Sequence, residues 1–285
     1  MVSIIIINYN THQLTCNCIH SILKFTVKAE YEIILVDNAS VEKNENTFVE
    51  IFGDRILFIQ SPKNLGFAGG NNLGIEHSKG DYILLLNSDT ELFEDSISKT
   101  LNFIKDRTDV GAVTCKLLNP DLKSIQNAAR PFFSLKKHFL KTTGLSRIFV
   151  EQYQKVNIHY DMSSSFACDW IWGTFFLFPR ENLVVMGGKL TETFFMYSED
   201  VEWCYLFHIN RLQNYYFADT AIVHHIGKSN NSRQRKKNIR KSHLRFLKMY
   251  HGIFTSFLER CLFLLDDAIV VSNRYKRRLK KRLGY

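Results

Sequence analysis

The chain opens on "VSIIIINYN", an uninterrupted apolar run that turns polar only at Asn8. A run this short and this apolar predicts a strand buried on both faces. In "THQLTCNCIHSILKF", Leu14, Cys18, Ile22 and Phe25 recur at helical spacing, and Thr11 stands where an N-cap is expected. "YEIILVDNAS" repeats the opening pattern, an apolar strand closing on Asp37 to Ser40. A helical stretch through Glu50 and a short strand "ILFIQ" follow. "NLGFAGGNNLGIEHSKG" reads as a loop, a helix and a closing glycine, and then "YILLLNSDTEL" runs four apolar residues into Asn87, Ser88 and Asp89. Strands alternating with helices predict an α/β fold with a mostly parallel central sheet. In such a sheet the polar ends at Asn8 to Asn10, Asp37 to Ser40 and Asn87 to Asp89 fall on one edge, where open α/β sheets bind ligands.

Beyond residue 110 the pattern is less regular. "VGAVTCKLL" predicts a strand, "DWIWGTFFLFPR" a second one broken at Gly173, and "YYFADTAIVHH" a third ending in two histidines. Residues 132–165 show little pattern. "GIFTSFLERCLFLLDDAIVVS" is apolar enough to raise a membrane span, but Glu259, Arg260, Asp266 and Asp267 lie inside it, which hydrocarbon penalises. An amphipathic helix lying on the protein or on a membrane surface fits better. The expected organisation is one domain over 1–227, with halves of about 1–118 and 119–227, and a basic helical extension over 228–285.

Charge sharpens that division. Of the net +9, residues 228–285 carry 17 Lys/Arg against 3 Asp/Glu, a balance of +14 that leaves the preceding residues at −5. A basic tail suits nucleic acid or an anionic membrane face, though it can also be a solvated surface helix. The six cysteines show no C-x-x-C spacing, which argues against a zinc site. No secretory signal precedes the first strand, so the thiols are expected reduced and the protein cytoplasmic.

The candidate chemistry sits at the strand ends and in one acidic cluster. Asp89 and His224, a carboxylate and an imidazole at separate strand ends, are reasonable partial ligands for Mg²⁺ or Mn²⁺, with Asn87 nearby. The plainer readings are a turn at Asn87–Asp89 and a hydrogen-bonded histidine. In "FFMYSEDVEWCYL", Glu199, Asp200 and Glu202 stand among aromatics, which can raise a carboxylate pKa towards that of a usable base. They can equally be the exposed acidic N-terminus of a helix over Val201 to Ile209, with Ser198 as N-cap. Asp37 stands where nucleotide-binding α/β folds contact a ribose or base. "GFAGGNNLG" fails as a G-x-G-x-x-G fingerprint but suits a helix N-terminus packed beneath a nucleotide.

Taken in order, "IIIINYN", "ILVDNAS", "NLGFAGGNN", "LLLNSDTEL", "DWIWGTFFLFPR", "FFMYSEDVEWCY" and "VHHIGKS" resemble the family 2 inverting glycosyltransferases of GT-A fold, near their rhamnosyltransferase-like branch. The resemblance runs from Val2 to about Gly252. It implies a GT-A sheet flanked by helices, and a nucleotide diphospho-sugar donor such as dTDP-rhamnose or a UDP-sugar. Asp200 would be the catalytic base, with Glu199, Trp172 and Gly173 on the acceptor side. Asn8, Asn10, Asp37, Asn38, Asn64, Gly66, Asn71, Asn87, Ser88 and Arg130 would contact the donor, Asp37 through its base. Asp89 and His224, the latter in H-x-x-G-x-S with Gly227 and Ser229, would hold the metal and diphosphate. Asn87 replaces the first acid of a strict D-x-D, and "AARPFF" keeps only Arg130 of the family's Arg-Arg-Phe-Pro element.

The implied partners are the sugar nucleotide, a glycan or lipid-linked glycan acceptor, and an anionic membrane touched peripherally by the basic tail, at the cytoplasmic face of a cell envelope. Two other classes remain beside this one. A nucleotidyltransferase acting on sugar phosphates would need a glycine-rich basic loop after the first strand, where this chain has "NYNTHQL". A nucleic-acid-binding protein using "RQRKKNIRKSHLR" would leave the acidic body unexplained and lacks aromatic stacking partners; no nucleic acid is expected.

Overall fold

A computed structural model describes residues 1–41, 45–225 and 232–282. Gly227 and Ser229 lie outside the described residues. The strands are β1 Val2–Asn8, β2 Tyr31–Asp37, β3 Leu57–Gln60, β4 Tyr82–Asn87, β5 Thr90–Leu92, β6 Val110–Leu118, β7 Ala129–Arg130, β8 Phe166–Cys168, β9 Trp170–Ile171, β10 Phe175–Pro179 and β11 Gln213–His224. The helices are α1 His12–Phe25, α2 Glu45–Phe52, α3 Gly66–Glu76, α4 Ser96–Ile104, α5 Leu135–Thr142, α6 Val150–Val156, α7 Glu199–Ile209, α8 Ser232–Tyr250 and α9 Gly252–Arg282. They divide into two compact units, 1–132 with 160–235 and 133–159 with 236–285.

The first unit is built on a curled mixed sheet of order β3-β2-β1-β4-β10-β6-β11-β5, with β8 also on β11. β3, β2, β1 and β4 run parallel, and the apolar runs of β2, β1 and β4 suit strands covered on both faces. Ile4, Ile5, Ile6, Ile34, Leu35, Leu84 and Leu85 are all fully buried, so residues on both sides of each strand meet packed helices or loops. β10 then enters antiparallel to β4, and Gly173 separates it from β9. From β4 onward the pairing is mixed. β5 follows β4 after only Ser88 and Asp89, yet pairs antiparallel with the end of β11, register Thr90 with His224. That short link joins two separated positions in the strand order and brings Asp89 beside His224.

Parallel register fixes the strand ends. Asn8 pairs with Asp37, and Ile7 with Asn87. Helix starts differ from the sequence expectation in one respect. Thr11 and Ser198 occupy N-cap positions of α1 and α7, but neither side chain caps its helix. The Thr11 hydroxyl donates to Asn8 Oδ1 instead, so it serves the strand end rather than the helix. Ser198 is in the left-handed region (φ +77°), and α7 begins two residues earlier than expected, at Glu199.

In the second unit, α5 packs on α9. His138 of α5 stands between Glu259 and Asp266 of α9 at 2.8 and 3.0 Å, and Thr142 donates to Asp266. The acidic residues that argued against a membrane span therefore face protein partners. No described helix is long and apolar enough to cross a membrane. No disulfide joins the cysteines, of which only Cys261 is exposed.

Candidate active site

At the end of β2, Asp37 is buried to 1% exposure and its carboxylate is fully engaged. It accepts from Asn8 Nδ2 at 2.6 Å, Ser40 N–H at 2.8 Å and Gln60 Nε2 at 3.0 Å. Asn38 beside it receives the Leu65 N–H and donates to Asn64 Oδ1 and the Gly66 carbonyl, fixing the entry to α3. Gly66 has φ +75°, and a Cβ there would stand 2.5 Å from the Phe195 carbonyl oxygen. Only glycine meets both demands. Asn71, also buried, donates back to the Phe67 carbonyl within α3. Asn10 and Ala39 lie in the left-handed region just past β1 and β2, and Asn10 Oδ1 receives the Val41 N–H. These two loops thus tie to each other above the sheet edge.

Asn87 ends β4, and Ser88 and Asp89 form the turn into β5. The stretch is a turn, and it places the Asp89 carboxylate at the sheet edge. Asp89 Oδ1 lies 3.4 Å from His224 Nε2. An anionic oxygen and an imidazole nitrogen at this separation suit two neighbouring ligands of one Mg²⁺ or Mn²⁺, whose protein donors are oxygen and nitrogen. Among the described residues no third His, Cys, Asp or Glu joins them. A cation here would take two protein donors and leave the rest of its shell to phosphate oxygens and water.

The sequence reading passed over Gln126. A hairpin through Asn119–Ser124 returns the chain beside the end of β6, where the Gln126 N–H bonds the Leu117 carbonyl. Its side chain is 5% exposed and meets His224 Nδ1 at 2.7 Å. A lone glutamine in a loop carries no pattern; only the pairing of β6 with β11 reveals its neighbour.

The acidic cluster sits on the first turn of α7. Glu199 and Glu202 are buried, at 7% and 0% exposure, so the exposed-helix-end reading does not hold. Glu202 accepts from the Thr191 hydroxyl at 2.5 Å. Asp200 accepts from the Gly173 N–H at 3.3 Å and from the Val201 N–H at 2.9 Å. Gly173 adjoins Thr174, whose carbonyl receives the Asn87 N–H, and this chain of bonds ties Asp200 to the β4 edge. Burial pushes both Glu199 and Asp200 above the usual carboxylate range. The N–H donors and the charge of Arg130 pull Asp200 back down, while the Asp200 charge pushes Glu199 further up. Glu199 Oε2 is buried without a hydrogen-bond partner. Both carboxyls thus stand in a setting that favours holding a proton between them. Arg130 lies over the rings of Trp170 and Trp172, 5.9 and 5.4 Å from their centroids. Tyr197 and Ser198 enter α7 with successive positive φ, a strained approach held by the surrounding packing.

Residues 3–163 match the model of glycosyl transferase family 2. The chain is 27% identical over 207 residues to a low-salt glycan biosynthesis hexosyltransferase, Agl10, of Haloferax volcanii, covering 71% of this chain and 60% of that protein. It thus spans less than two thirds of that relative's length. It is 28% identical over 110 residues to the putative teichuronic acid biosynthesis glycosyltransferase TuaG of Bacillus subtilis, covering 38% of this chain and 43% of that one. Among solved structures, the mannosyltransferase PcManGT of Pyrobaculum calidifontis, in complex with GDP-Man and Mn²⁺, superposes with a TM-score of 0.64 at 14% identity, over 95% of this chain and 73% of that chain. The shared fold is of GT-A type.

Proposed function

Since the chain belongs to glycosyl transferase family 2, we propose that it moves a sugar from a nucleotide diphospho-sugar to a hydroxyl of a glycan or lipid-linked glycan, with inversion at the anomeric carbon. The observation that carries this reading is Asp200, a carboxylate held by the Gly173 and Val201 N–H groups, tied to the β4 edge and raised by burial above the usual carboxylate range. An acceptor hydroxyl is a poor nucleophile at neutral pH and needs such a base. Its oxygen attacks the anomeric carbon, its proton passes to Asp200, and the bond to the diphosphate oxygen breaks with the electron pair leaving on the nucleoside diphosphate. One displacement opposite the leaving group inverts the centre, through a transition state of oxocarbenium character.

In this reading residues 1–118 serve the donor and 119–227 the acceptor. Asn8, Asn10, Asp37, Asn38, Asn64, Gly66, Asn71, Asn87, Ser88 and Arg130 bind the sugar nucleotide, with Asp37 and its hydrogen-bonded neighbours shaping the base site. Glu199, with Trp172 and Gly173, orients the acceptor. Asp89 and His224 hold a divalent cation, Mg²⁺ or Mn²⁺, which when bound offsets the charge growing on the departing diphosphate. The transferred sugar is a hexose or rhamnose.

The same reading puts the protein at the cytoplasmic face of a membrane, held peripherally by its basic extension, residues 228–285. Two features support this. On α9, Ile253, Phe254, Phe257, Leu264 and Val271 are between 58 and 71% exposed and share one helical face. On α8, Lys236, Lys237, Lys241, Arg245 and Lys248 are exposed. An exposed apolar face accompanied by cations suits the headgroup region of an anionic bilayer. Co-sedimentation with vesicles containing phosphatidylglycerol, and not with pure phosphatidylcholine, is expected; equal pelleting with neither would remove this part.

The test of the donor site is thermal stabilisation by UDP, dTDP, GDP and CDP, each with and without Mn²⁺. One nucleoside diphosphate should raise the melting temperature, and more so with metal. No shift with any of them would count against the transferase reading.

A further inference from the structure

His224 has two ring nitrogens in different surroundings: Nδ1 faces Gln126 Oε1 at 2.7 Å and Nε2 faces Asp89 Oδ1 at 3.4 Å. Which nitrogen carries the proton decides whether the ring can offer a lone pair beside Asp89. The Gln126 amide answers this, because its own orientation is fixed by what surrounds it. Its Nε2 lies 2.9 Å from the His224 carbonyl oxygen, 3.0 Å from Asn119 Oδ1 and 3.4 Å from the Leu118 carbonyl oxygen. All three are acceptors, and Asn119 is itself oriented, since its Nδ2 donates to the Ser124 hydroxyl and carbonyl. Turning the amide over would set Gln126 Oε1 against three oxygens and its NH₂ against the imidazole. Only one orientation satisfies the site, and it aims an acceptor at Nδ1. Nδ1 must then be the donor, and in the neutral ring Nε2 carries the lone pair. The 3.4 Å separation from Asp89 is long for a hydrogen bond but suits two ligands converging on one cation.

We propose that Gln126 is a positioning residue: it locks His224 in the Nδ1–H tautomer and so presents the Nε2 lone pair beside Asp89 to a divalent cation. The metal half of this statement rests on the proposed function, whereas the tautomer half stands on geometry alone. Gln126 meets His224 at Nδ1, the ring nitrogen that does not face Asp89. Such outer partners fix ring orientation, and their loss weakens metal binding about 10- to 100-fold.

The experiment reads both halves separately on the full chain. Long-range ¹H–¹⁵N correlation on ¹⁵N-histidine-labelled protein, with the His224 signal assigned by its loss in His224→Asn, should show Nδ1 protonated and Nε2 bare in the neutral ring. In Gln126→Met, of similar length but with no acceptor for Nδ1–H, both tautomers should appear. Mn²⁺ affinity, measured by electron paramagnetic resonance of the free ion in the presence of UDP, should fall about 10- to 100-fold in that variant. A wild-type His224 protonated at Nε2 would overturn the proposal, and that reading needs no variant to fold. A folded Gln126→Met with unchanged tautomer and unchanged Mn²⁺ affinity would overturn it as well. If wild type has the Nδ1–H tautomer but binds no Mn²⁺ with any nucleoside diphosphate, the lock stands and the proposed function loses its metal.

Discussion

Two carboxylate sites at the same sheet edge are built on opposite principles. Asp37 is only 1% exposed, and three donors from Asn8, Ser40 and Gln60 satisfy it. Glu199 is buried as well and Asp200 half-buried, but two N–H groups serve Asp200 and one oxygen of Glu199 has no partner. A saturated carboxylate holds shape, because its hydrogen bonds compensate the lost hydration. An under-satisfied one holds its proton more tightly and can exchange it at a useful pH. In the proposed reaction the first acid scaffolds the edge and the second exchanges a proton there.

Breaking the contrast at its chemical end should give the largest effect. Asp200→Asn keeps size and much of the hydrogen bonding but cannot take a proton, so transfer should fall by about 10²- to 10⁴-fold, while nucleotide titration shows donor binding retained. Asp89→Ala should spare the metal-free affinity for nucleoside diphosphate and abolish the increment that Mn²⁺ adds, as read by the melting shift. At the scaffolding end, Asp37→Ala leaves the Asn8, Ser40 and Gln60 donors unpaired and should cost about 1–3 kcal/mol of stability in denaturant titration. The smallest effect sharpens the comparison through pH. Glu199 has a raised folded pKa, so the folded state keeps its proton longer than the unfolded chain does. Stability is therefore lost as pH rises from the usual carboxylate value through the raised one. Glu199→Gln escapes that loss, and its melting temperature should gain on wild type progressively between pH 5 and pH 8. In the transfer reaction, the acidic limb of the pH profile should lie above the range of an ordinary aspartate, because burial raises Asp200.

What the sequence made legible was the part governed by period and punctuation. β1, β2 and β4 are short apolar runs with polar ends, and parallel pairing leaves those ends no place but one edge, so Asn8, Asp37 and Asn87 were visible as neighbours. The acidic cluster was visible too, but its state was not. Whether Glu199 and Glu202 were solvated or buried depended on how 191–198 enters α7, through left-handed residues with no sequence signature beyond their occurrence. Thr11 and Ser198 looked like caps because position alone suggests a cap, while tertiary partners decide what the hydroxyl bonds. Asp89 and His224 were each identifiable as candidates, yet their adjacency follows from β5 pairing with β11, a long-range match that no local pattern encodes. Gln126 was illegible for the same reason. The segment 133–159, nearly without pattern, folds in one unit with 236–285, and its His138 finds its partners on α9, more than a hundred residues away.

The central claim is that Asp200 removes the acceptor's proton at a donor site it does not help to bind. The most direct test is release of nucleoside diphosphate from the sugar nucleotide chosen by the melting panel, with an acceptor glycoside present, in wild type and Asp200→Asn at equal donor occupancy. The account predicts turnover in wild type and, in the variant, bound donor with turnover lower by at least about 10²-fold. Turnover near the wild-type rate in Asp200→Asn would contradict it and move the base elsewhere.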